Sequence, residues 1–418
     1  MEKYDRVVLG ENTVNGYKYV KDMLHMFAES EKQSDTVIYR WNCSIDNNLN
    51  KPVMPLGSEN EILSHIHAVF DDAREKGREV SIIMQPTYNS VMNLIAHMFE
   101  HGDMKVNHII CIEQNHSKSY MNLEAFRQIL PLSFQNRNYN AMYYYDVLQG
   151  HINETSLMPN AVITDECAVL FDDEMQHGMR ISNDVYIDVM KQEFKKLRNK
   201  ATPFVCAEYD QIDVMQSYNL ISVSGAFATL FNQPCMAVGI SSDIYEKFLY
   251  PFPEKSEFIK LMCDRLGDWQ GNVYHTGNIG AIVSGKAYSL VKGICDFMET
   301  GRVNEFPPGY YAPLDMEARR NGLSRMIALA KKGYINYYFL TTEIEMPDTL
   351  YFYMNTKEKN LLIHKVYEDR INRVFVQKVG IFHAFMSFFE YLEKKKMLCC
   401  GEDIIKVMED IEREYSEN

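Results

Sequence analysis

Long apolar runs are missing from this sequence: no stretch approaches the roughly 18–20 uninterrupted apolar residues that a membrane helix requires. The opening Met1-Glu2-Lys3-Tyr4-Asp5-Arg6 is charged at most positions and has no apolar core of the kind a secretory leader needs. C-x-x-C pairs are absent as well. The nine cysteines are scattered, most of them inside apolar stretches such as Ile109-Ile110-Cys111-Ile112. That usage suits small buried side chains in a reducing compartment, and the adjacent Cys399 and Cys400 make a poor metal site alone. A cytoplasmic protein without membrane association is expected. Cationic excess is also lacking, since 43 Lys+Arg against 57 Asp+Glu give a net charge of −14. Phosphate-backbone binders gain affinity by clustering cations, so this chain is not expected to bind nucleic acid directly. Its 21 glycines and 13 prolines are too few for a fibrous or linker-rich protein.

What is present is globular: 46% hydrophobic, 24% charged and 12% aromatic residues over 418 positions, enough for two to three domains with full cores. Gly16 to Ala28 has helical spacing, with Val20, Met23, Leu24 and Phe27 on one face. Thr36 to Trp41 reads as a strand, and Asn50 to Gly57, with two prolines, as a loop. Ser58 with Glu61 forms a capping box for a helix that stops at Gly77. Val80 to Met84 and Val106 to Ile112 are buried strands flanking a helix from Ser90 to His101. A helix near Leu123 to Leu130 and a strand at Ala141 to Val147 follow. Ala161 to Thr164 and Cys167 to Phe171 make a hairpin around Asp165-Glu166, and Asn183 to Leu197 a helix with Val185, Val189, Phe194 and Leu197 inward.

Past Arg198 to Pro203 the spacing predicts helices at Ser256–Leu266, Ala287–Glu299, Asp315–Lys332, Val379–Lys396 and Glu402–Glu414. Strands fall at Tyr334–Thr341, Thr349–Met354, Leu361–Val366 and Val374–Gln377, and Gly301 to Pro313 is a loop. The second part echoes the first: a helix ends on Lys-Gly before a buried strand at Lys76-Gly77 and at Lys332-Gly333. The closing helices also match, with Glu193-Phe194-Lys195-Lys196-Leu197 against Phe388-Phe389-Glu390-Tyr391-Leu392. The expected fold is α/β, with layered mixed sheets and helices on both faces. It divides into halves at 1–200 and 201–418, the second carrying C-terminal helices, and a duplication of the first half is one reading of the echo.

Few motifs carry chemistry. His97-Met98-Phe99-Glu100-His101 has the H-x-x-E-H spacing that sets two imidazoles and a glutamate on one helical face, so a zinc-dependent hydrolase using His97, Glu100 and His101 is one reading. The motif sits on a last helical turn, where a histidine is favoured by the helix dipole in any case. Gly280 to Lys286 fits a phosphate loop, but Ala287 replaces the hydroxyl that would hold magnesium, and the apolar interior suits a strand. His116-Ser117-Lys118 lacks an aspartate at Leu123. Asp165, Glu166, Asp172, Asp173 and Glu174 cluster around the hairpin as turn and helix-start residues. Tyrosines at 143–145, 310–311, 337–338, 351 and 353 either line a pocket or sit half-buried in a sheet.

From Ile62 to Leu197 the order of elements resembles one half of a phospholipase D-like domain. The resemblance is strongest over the hairpin, its acidic turn, Gly178, Ile181-Ser182-Asn183-Asp184 and the helix ending in Phe-x-x-Leu. Such domains carry His-x-Lys-x4-Asp on the hairpin's first strand. Aligned on Asp165, this chain has Met158 for the histidine and Asn160 for the lysine. In the second half the matching stretch, Asp348 to Asn355, differs at all three positions. A thioether cannot form a phosphohistidine, and an amide supplies no charge to a phosphate. The resemblance therefore implies an inert copy, similar to the effector-binding domains of bacterial transcription regulators, including the sugar-sensing TrmB type.

No helix-turn-helix signature accompanies it, so either a separate chain reads DNA or the role is not transcriptional. The expected protein binds a small molecule or a protein partner without catalysis and without a cofactor. Its pocket is expected between the halves, near Asp165, Asn160, Tyr351, Tyr353 and Asn355. A scaffolding role through the late helices is the third reading, and homo-oligomerisation stays open.

Overall fold

The computed structural model describes residues 6, 9–32, 51–102, 104–113, 121–146, 158–208, 227–252, 255–256, 259–260, 285–333, 336–376 and 379–417. The expected strand at Thr36–Trp41, the polar stretch at 116–118, most of the helix at Ser256–Leu266 and residues 280–284 lie outside them. The chain forms two units, Asp35–Ala207 (the first unit) and Met1–Ser34 with Glu208–Asn418 (the second).

In chain order the elements of the first unit are β1 (Val53–Leu56), α2 (Glu59–Glu75), β2 (Glu79–Ile83), α3 (Asn89–Glu100), β3 (Lys105–Glu113), α4 (Met121–Gln135), β4 (Tyr139–Asp146), β5 (Asn160–Ile163), β6 (Ala168–Phe171), β7 (Gly178–Ile181), α5 (Asp184–Lys200) and β8 (Thr202–Pro203). They are preceded by α1 (Glu11–Lys32), which belongs to the second unit. The strands form one mixed sheet in the order β1-β7-β6-β5-β2-β3-β4-β8, with β2, β3 and β4 parallel. Parallel strands covered on both faces read as continuous apolar runs, and Val80, Ile82, Val106, Ile109 and Ile110 are fully buried.

Ser58 caps α2, its hydroxyl accepting from Glu61 N, while the Glu61 carboxylate reaches back to Gly57 N at 2.7 Å. The expected loop at Asn50–Gly57 contains β1 despite Pro55. Among the described residues this strand is an edge, paired with β7 alone, and an edge tolerates a missing donor. On α5 the buried residues are Ile187 and Phe194, with Met190 against Ala161, Ile163 and Ala168, whereas Val185 and Val189 are 71% and 52% exposed. The expected inward face was therefore only partly the right one: two apolar stripes compete on this helix, and the one at i, i+3, i+7 packs.

The second unit continues with β9 (Cys206–Glu208), within which the chain passes from one unit to the other, then β10 (Phe227–Leu230), a 3₁₀ turn (Met236–Gly239), α6 (Ser242–Phe248), β11 (Lys286–Ser289), α7 (Val291–Thr300), a 3₁₀ turn (Pro308–Tyr310), α8 (Met316–Lys331), β12 (Asn336–Leu340), β13 (Leu350–Asn355), β14 (Asn360–Val366), β15 (Ile371–Val376), α9 (Val379–Lys394), β16 (Leu398–Cys400) and α10 (Glu402–Glu417). Its sheet runs β9-β15-β14-β13-β10-β11-β12-β16. Adding eight to every strand of the first sheet reproduces this order. The parallel pairs β10–β11 and β11–β12 and the antiparallel pair β10–β13 recur with the same sense. The two sheets are a topological repeat.

The helix expected from Ala287 is interrupted, because Lys286–Ser289 is a strand and α7 starts at Val291. Gly301 ends α7 with φ +68°, where a Cβ would lie 2.3 Å from the Leu314 carbonyl. Residues 1–34 do not belong with 35–200 as the expected halves had it. Helix α1 packs on α9: Tyr17 stacks on Tyr391 at 4.0 Å and on Phe388 at 5.6 Å. Gly16 permits that approach, since a Cβ there would sit 2.6 Å from Ser387 Cβ. The late helices also find partners at home, α10 burying Ile404, Met408 and Ile411 in the second unit's core.

Among the described residues no helix is long and apolar enough to cross a membrane. No described cysteine forms a disulfide. Cys111 and Cys167 are buried, while Cys206 and Cys400 are exposed.

Candidate functional site

In α/β sheets ligands gather beyond the carboxyl ends of the parallel strands. In the first unit β2 and β3 end at one edge. Because β5 runs antiparallel to β2, with Ala161 beside Ile83, β5 begins there, and β6 ends there with Phe171 opposite Asn160. The turn joining β2 to α3 brings Tyr88 to this edge, and the turn from β6 to β7 brings residues 172–177. The Asn160 amide donates to Tyr88 Oη at 2.9 Å, to the Asp172 carbonyl at 3.0 Å and to the Phe171 carbonyl at 3.5 Å. Tyr88 in turn donates to the Asp173 carbonyl at 3.0 Å. Burial raises the Tyr88 phenol above its ordinary range.

Burial pushes the Asp172 carboxyl up, but hydrogen bonds from the His177 ring and from the His177 and Gln176 backbone hold it below the ordinary range. The His177 ring lies 2.9 Å from Asp172 yet is 78% exposed. This pair closes a six-residue turn.

Beneath the edge His108 is wholly buried. Its Nε2 lies 3.0 Å from the Met84 carbonyl, which only accepts, so Nε2 carries the proton and Nδ1 accepts from Tyr139 Oη at 2.8 Å. Burial drives its pKa down to about 4, against the raising effect of the Met84 bond.

Asn160 and Asp165, expected together, stand at opposite ends of β5. Five residues at about 3.3 Å each separate them by roughly 16 Å. Asp165 is exposed in the turn and paired with Lys191. Its neighbour Glu166 is bridged by Arg78 at 2.5 Å and Lys76 at 2.8 Å, whose hydrogen bonds lower its pKa to about 2. Met158 is half-buried just before β5.

In the second unit Tyr351 and Tyr353 belong to the core, their rings 5.0 and 4.9 Å from Phe231. Asn355 is a turn residue, accepting from Lys357 N at 3.0 Å and Glu358 N at 2.9 Å. Both hairpins have four-residue turns, with Ile163 opposite Ala168 and Asn355 opposite Asn360. Asn355 thus matches Ile163, and Leu350 and Phe352 match Met158 and Asn160. The sequence alignment of the second hairpin was two residues out of register.

The second unit also holds a cleft of about 490 Å³ between the 3₁₀ turn at Met236–Gly239, α6 and α8. Its polar lining includes Asp243, Lys247, Asp315, Asn321 and Arg325. Gly239 and Gly322 bring its floor together, a Cβ on Gly239 falling 2.4 Å from the Gly322 carbonyl. Lys247 bridges to Asp315 at 2.7 Å, and that bond lowers the Asp315 pKa. Asp243 is held low by the Ser241 hydroxyl, its own and the Ile244 backbone and, through space, Arg325. Sequence reasoning missed this cleft, because a polar stripe at 317, 321, 324 and 325 reads as an ordinary solvated helix face.

His97, Glu100 and His101 lie together at the end of α3, with potential ligand atoms within 4.8 Å of one another.

The molecule is thus a repeated mixed-sheet α/β protein. No known protein family's sequence profile matches the chain, and no curated protein matches it in sequence. Solved structures similar to it include TrmBL2, an archaeal chromatin protein described as showing a novel mode of DNA binding (12% identity over 37% of this chain and 55% of that one, TM-score 0.26). Others are a phosphatidylserine synthase from Haemophilus influenzae (8%, 87% and 92%, 0.26) and a polyphosphate kinase from Porphyromonas gingivalis (9%, 88% and 53%, 0.25). This chain spans about half the length of the chromatin protein and of the kinase. None of the three supplies a residue role here, and the fold assignment rests on the strand order.

Proposed function

We propose that this chain is a non-catalytic sensor that binds a small polar molecule on a phospholipase D-like scaffold, as the effector part of a transcription regulator would. The observation that carries this reading is the commitment of Asn160. Where the resemblance calls for a phosphate-binding lysine, a buried amide spends its hydrogens on Tyr88 and two backbone carbonyls. Neither it nor the Met158 thioether can attack or neutralise a phosphoryl group. The cleft of the second unit gives a ligand a place, since its volume falls within the roughly 300–1,000 Å³ of small-molecule sites. Charges of both signs suit a hydroxylated ligand that carries one anionic group, such as a sugar phosphate.

A thermal-shift panel of sugars, sugar phosphates and nucleotides tests this, because a ligand bound only by the folded state raises Tm by mass action. The expected result is a concentration-dependent rise that Arg325→Ala and Asn321→Ala abolish. A panel without any shift, or a shift untouched by both substitutions, contradicts the reading.

A further inference from the structure

The end of α3 carries donors that the sensor reading leaves unused. Positions i, i+3 and i+4 share one helical face, which places His97, Glu100 and His101 side by side. His97 Nδ1 is 3.9 Å from a Glu100 carboxylate oxygen, and the two imidazole centroids are 4.3 Å apart with 55° between their planes. His101 is already oriented. Its Nδ1 lies 2.9 Å from the His97 carbonyl, and a carbonyl only accepts, so Nδ1 holds the proton and Nε2 presents its lone pair. A backbone carbonyl fixing the tautomer of a ligand histidine is the usual outer support of a metal site. The carboxyl end of a helix adds partial negative charge.

Two cations of the flanking segments are answered elsewhere. Arg74, whose side chain approaches Gly102, pairs with Asp71 at 2.8 Å, and Lys105 bridges to Glu79 at 2.5 Å.

We propose that the last turn of α3 binds one divalent transition metal of the zinc class through His97 Nδ1 or Nε2, His101 Nε2 and the Glu100 carboxylate, with water completing the shell. Two imidazoles and one carboxylate favour Zn²⁺ or Co²⁺ over Mg²⁺ or Ca²⁺, which prefer all-oxygen sets. With Glu100 as a ligand, no base remains in the motif for hydrolysis. The site also lies away from the carboxyl-end edge: α3 begins at Asn89 beside Tyr88, and eight residues at 1.5 Å place His97 about 12 Å along the axis. The metal therefore pins the helix terminus and stays clear of the edge held by Tyr88 and Asn160.

The test is a titration of the full chain, freed of metal by a chelator, with Zn²⁺ followed by calorimetry and with Co²⁺ followed by visible absorption. One equivalent should bind, Co²⁺ should give ligand-field bands, and Mg²⁺ should not compete. His97→Ala and His101→Ala should each weaken binding by at least about 100-fold and Glu100→Gln by about 10-fold, at least the loss seen when only an outer support is removed. His67→Ala, on α2, should change nothing. Should an alanine variant lose its native circular dichroism, His97→Gln and His101→Gln replace it. Absence of saturable Zn²⁺ binding by the unaltered chain, or binding that survives both histidine substitutions, overturns the proposal.

Discussion

Helices α5 and α9 occupy the same place in the two halves of the repeat, each following the last strand of its hairpin series, yet they are treated very differently. On α5 only Ile187 and Phe194 are buried, and Glu193 and Lys196 pair with each other at 2.6 Å on the solvent side. On α9 the matching face carries Phe388 and Tyr391, and helix α1 lies over it. Topology therefore fixes where a helix sits, while a few side chains decide whether it receives a second layer. The strand ends differ in the same way. Asn160 and Tyr88 tie together the edge of the first sheet. In the second unit the Glu31 carboxylate of α1 accepts from Asp348 N at 2.7 Å, Thr349 N at 3.3 Å and the Thr349 hydroxyl.

The comparison breaks most visibly at Phe388. Truncation to alanine removes a fully buried ring, and chemical denaturation should show a loss of about 3–5 kcal/mol. Glu193→Ala, its counterpart on α5, should stay within about 0.5 kcal/mol. Similar losses at both positions would show that α5 is also covered.

Acid should weaken the first unit through His108. Its folded-state pKa of about 4 lies below that of an unfolded histidine, about 6.5, so the folded state favours the neutral ring. The stability is complete above about 6.5 and falls as pH drops towards 4, by on the order of 3 kcal/mol. Hydrogen exchange of the β3 amides across that range reads it directly, and protection that is flat from pH 7 to 4 would exclude the buried neutral ring.

At the second strand edge, Glu31→Ala leaves two backbone amides without their acceptor and should cost about 1–3 kcal/mol, measured by urea unfolding. An unchanged midpoint would mean that water replaces the carboxylate freely.

The smallest effect is expected at Glu166. Hydrogen bonds from Arg78 and Lys76 depress its pKa to about 2, so its stabilisation is present above the ordinary carboxylate range and is lost as pH falls through about 2. Glu166→Gln should lower Tm slightly at neutral pH, and the gap should close in strong acid.

Much of the fold was legible because its signals are local. Ser58 and Glu61 announced α2, and the apolar runs at Val80 and Val106 announced the parallel strands. Signals that depend on distant partners were not legible. Pro55 suggested a loop, since nothing local says that Val53–Leu56 lies at an edge. Lys286–Ser289 merged with the following helix because four residues do not define a period.

The site divides in the same way. Asn160 was found through the motif spacing, but Tyr88 and His177 lie 72 residues before and 17 after it and join it only through the strand order. Asp165 was misplaced beside Asn160, because a motif written on one line hides the length of the strand between its members.

The most direct test of the central claim is a phosphodiesterase assay on the full chain with a bis(p-nitrophenyl) phosphate reporter. Met158 and Asn160 at the motif positions predict no release above buffer, before and after Asp165→Ala. Turnover by the unaltered chain that disappears in Asp165→Ala or His177→Ala would contradict it.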